Sequence, residues 1–88
     1  MRTKQWRVDV YISERDDDTT HAEARLTTGT GTLHADGVAR RDPHDSPVPE
    51  IGDELATARA LSALAQRLLR TTTEDIEAIT HEDVHLHD

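Results

Sequence analysis

The chain has 88 residues, and alanine supplies ten of the thirty apolar residues behind its 34% hydrophobic fraction, with no Phe and one Trp. So little side-chain area leaves a lone chain of this size marginal, because it buries only about 60 to 65% of the surface its unfolded form exposes; oligomerisation is the expected remedy. A net charge of −8 argues against a general polyanion binder, the absence of Cys removes disulfides, thiolate metal sites and cysteine nucleophiles, and no apolar run is long enough to span a bilayer.

In chain order, residues 4–14 alternate, with Trp6, Val8, Val10 and Ile12 on one face and Arg7, Asp9, Tyr11 and Ser13 on the other, which predicts a half-buried strand. Arg15 to Asp18 has turn chemistry. Residues 19–28 alternate again, with Ala22, Ala24 and Leu26 against His21, Glu23, Arg25 and Thr27, and read as an antiparallel second strand. Gly29 and Gly31 supply a tight reversal into a third strand over 31–40, where Asp36-Gly37 predicts a bulge or bend. Pro43, Pro47 and Pro49 make residues 42–49 a stiff connector.

From 49 to 70 the residues Ile51, Leu55, Ala58, Leu61, Leu64, Ala65, Leu68 and Leu69 fall on one broad helical stripe, with Ala56, Ala60 and Ala63 on or near the opposite side. Glu50, Asp53 and Glu54 near its start and Arg67 and Arg70 near its end complement the helix dipole. Thr71-Thr72-Thr73 is expected to break this helix, Thr72 and Asp75 forming the capping box of a short second helix over about 73–80. Residues 81–88 form an acidic, His-containing tail with room for one short strand through Val84 and Leu86. The expected fold is α+β, order β-β-β-α-α: a single domain whose three-stranded antiparallel sheet is covered on one face by the helices and wet on the other.

Gly37 to Asp45, the run from Val48 to Leu61, the Trp6-x-Val8-x-Val10-x-Ile12-x-Glu14 strand and Asp75-Ile76-Glu77 together resemble the small actinobacterial domain-of-unknown-function family numbered 1876. The resemblance covers nearly the whole chain. It implies a fold like the double-stranded-RNA-binding domain with its first helix missing, and a likeness to ribosome hibernation factors, active under stress or dormancy. One departure bears on that implication: the helix N-terminus that would meet phosphate carries Glu50, Asp53 and Glu54 and repels it.

No catalytic constellation emerges. His44-Asp45-Ser46 holds triad residue types, but sequence neighbours do not converge in space, and Asp45 and Ser46 are better read as helix caps. His81 and His85 have a helical metal-ligand spacing, yet a site needs three or four converging ligands, and a solvated tail is the better reading. No cofactor, metal or enzyme activity is expected. Arg7, Tyr11 and Arg25, with His34, mark the uncovered sheet face; Arg40 and Arg41 could join Arg2, Lys4 and Arg7 in a basic area; Arg59, Gln66 and Arg70, with Arg67 beside them, form a stripe best explained by dipole complementarity and salt bridges. Gly52 near the helix start points to close backbone approach. The expectation is a non-enzymatic cytoplasmic homodimer with an unidentified protein partner, bound on the open sheet face or in the dimer groove through Arg7, Tyr11, Arg25, Arg40, Arg41 and Arg59. A ribosome or RNA is the alternative partner, which the net charge disfavours; neither DNA nor a membrane is expected.

Overall fold

The computed structural model describes residues 1–16, 18–42, 44 and 48–80. Strands β1 (Arg7–Glu14), β2 (Thr19–Thr27) and β3 (Thr32–Arg40) precede a single helix, α1 (Pro49–Thr80). The strands form one antiparallel sheet in the order β1-β2-β3, so the α+β class and the hairpin succession follow the period-two patterning. Register is continuous: Val10 pairs with Ala24, and Ala24 with Ala35. The β1–β2 turn is closed by Arg15 N–H donating to the Thr19 carbonyl at 3.0 Å. The β2–β3 turn is closed by Thr28 N–H to the Gly31 carbonyl at 2.9 Å, and the Thr28 hydroxyl donates to the same carbonyl at 3.2 Å.

Four expectations are corrected. β1 starts at Arg7, which leaves Trp6 outside the ladder and 53% exposed. Asp36-Gly37 does not interrupt β3, because Asp36 pairs with Glu23 and Gly37 with Ala22 in unbroken register.

The third correction concerns the short second helix: α1 runs through Thr71-Thr72-Thr73 without a break. Each hydroxyl donates back to the carbonyl four residues earlier, Thr71 to Arg67 at 3.1 Å, Thr72 to Leu68 at 2.9 Å and Thr73 to Leu69 at 3.1 Å. A threonine that satisfies its hydroxyl inside the helix has no need to leave it, so the residues expected to cap a new helix continue the old one.

The fourth correction is the largest. The helix sits on the sheet by its small residues: Ala56 and Ala60 are wholly buried, whereas Ile51, Leu55 and Leu61 are 60%, 40% and 41% exposed. The cause lies in the sheet. A Cβ added at Gly37 would overlap the Ala56 carbonyl oxygen and the Ala60 amide nitrogen, so helix and β3 meet backbone to backbone, with no space for a leucine between them. At the helix start a Cβ on Gly52 would come within 2.8 Å of Thr20 Oγ1, the close approach expected there. The resulting core is Ala22, Ala24, Leu26, Ala39, Ala56, Ala60 and Leu64, with Val10, Leu33, Ala35 and Leu68 partly buried against it.

Helix and sheet are poorly matched in width and length. α1 packs on β2 and β3 and barely touches β1, so Val8 and Ile12 stay exposed although they share the covered face with Ala22, Ala24 and Leu26. Thirty-two helical residues span about 48 Å, against about 30 Å for the nine residues of β3. The Arg59 side chain reaches the Val38 carbonyl and the Arg67 side chain the His34 carbonyl, which sets Thr71 level with Thr32 and leaves Glu74 to Thr80 beyond the sheet. The radius of gyration is 16.6 Å, against about 12 Å for a compact chain of this length.

Candidate interaction surfaces

Strand parity places Arg7, Tyr11, Arg25 and His34 on the sheet face turned away from α1, as expected. That face is locally neutralised. Arg25 Nε donates to Glu23 Oε1 at 2.6 Å, and its guanidinium lies 5.5 Å from the centroid of the Tyr11 ring, a cation–π distance across the β1–β2 ladder. Arg7 Nη2 lies 3.4 Å from Asp9 Oδ1, His21 Nε2 3.4 Å from Asp36 Oδ1, and His34 Nδ1 3.9 Å from Glu23 Oε2. Side chains this exposed draw modest energy from such pairs. What the pairs decide is the potential of the face, which alternates in sign over a few ångströms.

Arg40 and Arg41 do not join the N-terminal basic residues. Arg40 pairs with Thr19 and Arg7 with Thr27, at opposite ends of the sheet. Both lie instead near the acidic β1–β2 turn: Arg41 Nη2 is 2.6 Å from Asp18 Oδ1, and its backbone N–H donates to the Asp18 carbonyl at 2.7 Å. The Asp16 carboxyl titrates below its usual range, chiefly because it accepts the Asp18 backbone N–H at 2.8 Å. Desolvation opposes this, and the Thr19 amide and hydroxyl and the positive charge of Arg40 add lesser effects in the lowering direction.

Arg59 and Arg67 have a structural task different from the salt bridges expected of them. Arg59 Nη1 donates to the Val38 carbonyl at 2.7 Å and Arg67 Nη1 to the His34 carbonyl at 3.2 Å. Eight helical residues rise about 12 Å and four strand residues about 13 Å, so the two arginines clip the outer edge of β3 at matching intervals. An edge strand with two of its carbonyls occupied is a poorer template for adding another strand.

The surface that patterning misassigned is apolar. Ile51, Leu55, Ala58 and Ala65 are exposed on the outward side of α1, and Leu61 is exposed on its flank towards Ile12 of β1. Beside them, where the helix leaves β1 uncovered, a shallow open notch of about 420 Å³ is lined by Ile12, Asp53, Glu54, Thr57, Ala58 and Leu61. Asp53 Oδ1 is buried at this place with no hydrogen-bond partner. Periodicity alone found the stripe that contains these residues; what it could not find was that the stripe would be split, Leu64 and Leu68 turning to the sheet beside Ala56 and Ala60 and the rest staying outside.

Among the described residues no three His, Asp or Glu side chains gather as a metal ion would need, and no helix is long and apolar enough to cross a membrane. The His81 and His85 pair, the Val84–Leu86 segment and the Asp45-Ser46 caps lie outside the described residues.

Comparison with known proteins places these surfaces in a group. Residues 4–85 match a family model described as Rv2632c-like. The chain is 48% identical over 83 residues to the uncharacterized protein Mb1767 of Mycobacterium bovis, covering 94% of this chain and 87% of the relative. It is 51% identical over 81 residues to the uncharacterized protein Rv2632c of Mycobacterium tuberculosis, covering 92% and 86%. The crystal structure of Rv2632c superposes with a TM-score of 0.83 at 49% identity, over 93% of this chain and 96% of that one. The resemblance drawn from sequence therefore holds at the level of a small actinobacterial family of unknown function with mycobacterial members.

Proposed function

The chain belongs to the Rv2632c-like family, and from its surfaces we propose that it is a small, non-catalytic cytoplasmic interaction domain. It works as a homodimer, with a protein partner on the open sheet face or in the groove that the dimer forms. The observation that carries this reading is the inverted distribution of apolar residues. Five of the seven core residues are alanine, while Ile51, Leu55, Leu61, Val8 and Ile12 remain at the surface. Burying one such side chain is worth about 1.5 to 3 kcal/mol, and exposed apolar side chains of this size, with Ile12 and Leu61 meeting at one notch, mark an interaction surface.

The second reading is a ribosome- or RNA-associated factor with a double-stranded-RNA-binding-like fold, resting on three antiparallel strands followed by a helix. The arginines weigh against it: Arg7, Arg25, Arg40 and Arg41 each lie near a carboxylate, and Arg59 is committed to β3. The test is light scattering from low to high micromolar concentration, followed by pull-down with a tagged copy at low and high salt and an RNA assay on the eluate. A dimer mass and a salt-resistant partner support the interaction domain. A monomer at all concentrations, or RNA that leaves with salt, would overturn it.

A further inference from the structure

We infer that the outward face of α1 is where a second copy of this chain docks, the two helices running antiparallel between two outer sheets. This rests on the homodimer reading above and adds which surface pairs, and in which direction. The first observation is a repeat. Positions 48, 51, 55, 58, 62, 65, 69, 72, 76 and 79 follow one another at alternating intervals of three and four, and none carries a charge. That is the 3.5-residue period of a helix-pairing seam, and it lies on the side of α1 opposite Ala56 and Ala60, which touch the sheet. The large members, Ile51 and Leu55 towards one end and Leu69 and Ile76 towards the other, flank Ala58, Ser62 and Ala65. Small side chains at the middle let two helix axes approach closely there.

Second, the area is sufficient for a specific dimer. A strip about 48 Å long and about 10 Å wide on each copy removes about 1,000 Å² in total, the scale at which specific interfaces begin. The exposed Leu61 and Ile12 border the seam and add to it.

Third, the dipoles set the direction. Both ends of α1 are acidic, with Glu50, Asp53 and Glu54 at its start and Glu74, Asp75 and Glu77 near its end, and Arg67 is held against β3, so charge favours neither direction. Parallel pairing would align the helix dipoles, and antiparallel pairing opposes them. It also gives the helix overhang a place, because Ile76 and Ile79 beyond one sheet come beside the first turns of the other helix, where Ile51 is exposed. The charged, hydrated sheet faces then stay outermost on both sides.

The chain has no cysteine, so single engineered thiols report proximity without background. The experiment is light scattering of the full chain and of Leu55→Asp, with circular dichroism to confirm the fold, and cross-linking of Ser62→Cys, Ile51→Cys and Tyr11→Cys by a short bis-maleimide. In an antiparallel pair the two Ile51 positions lie at least about 27 Å apart along the axis. Support is a wild-type mass twice 9.8 kDa, a folded Leu55→Asp that is monomeric where the wild type is dimeric, and cross-linking at Ser62→Cys but not at Ile51→Cys. Cross-linking at Ile51→Cys, meaning parallel helices, or at Tyr11→Cys alone, meaning pairing along β1, would overturn the helix pairing and leave the homodimer standing. So would a Leu55→Asp variant that stays dimeric. A wild type that is monomeric at every concentration would overturn both.

Discussion

The two faces of α1 are made of different residues and solve different problems. The inward face offers Gly52, Ala56, Ala60 and Leu64 and reaches backbone contact with Gly37 of β3. The outward face offers Ile51 and Leu55, which stay 60% and 40% exposed, with Leu61 on its flank towards β1. The small face wins the sheet although it contributes less hydrophobic area, because β2 and β3 present Ala22, Ala24, Ala39 and Gly37 as a flat floor. Close approach there gains dense packing and lets Arg59 and Arg67 reach the β3 edge, which a layer of leucines would hold out of range. The lesson is that the larger apolar stripe of an amphipathic helix need not be the one its own domain buries.

Filling the inward face should have the largest effect. Ala60→Leu forces a side chain into a wholly buried position against backbone and is expected to cost about 3 kcal/mol, read as a drop in thermal midpoint; Gly37→Ala should behave alike. An unchanged midpoint in both would mean that the helix does not seat on this face. On the outward face, Leu55→Asp should leave the fold intact and remove the rise of thermal midpoint with protein concentration that a dimer shows.

The edge clips come next. Arg59→Met and Arg67→Met each remove one side-chain to carbonyl hydrogen bond and should lose about 1 kcal/mol in denaturant unfolding, while the sheet stays assembled. Thr72→Ala, at an exposed helical position, should gain about 0.5 kcal/mol from helix propensity with undiminished far-UV helicity; a loss of helicity would restore the two-helix arrangement. The smallest effect concerns Asp16. Its carboxyl is held below the ordinary 3.8, so its contribution is fully present above that value and is lost as pH falls through the lowered one. Asp16→Asn should be slightly less stable than wild type at neutral pH, and the two should converge in acid.

Period-two alternation with turn chemistry between the runs was enough to locate three strands, their antiparallel order and the polar composition of the open face. Both are local properties, legible because a strand's side-chain period is fixed by its backbone. The helix from Pro49 was legible for the same reason, and so was the close approach at Gly52. The break at Thr71-Thr72-Thr73 was misjudged because a threonine hydroxyl has two outlets, capping a new helix or bonding back within the old one, and neighbours in space choose between them. The basic area built from Arg40, Arg41 and Arg7 failed because register placed its members at opposite ends of the sheet. The site residues Arg7, Tyr11 and Arg25 did meet on one face, in company with acids whose nearness only the ladder register fixed.

Composition, charge and periodicity by themselves determined the class of fold, the poverty of the core and the existence of two different helix faces, since each follows from residue type and spacing along one element. Only the tertiary structure decided which helix face would be inside. That choice depends on how closely two backbones can approach, and closeness depends on Gly37 and Ala60 being opposite one another, a relation between positions twenty-three residues apart that no local pattern contains.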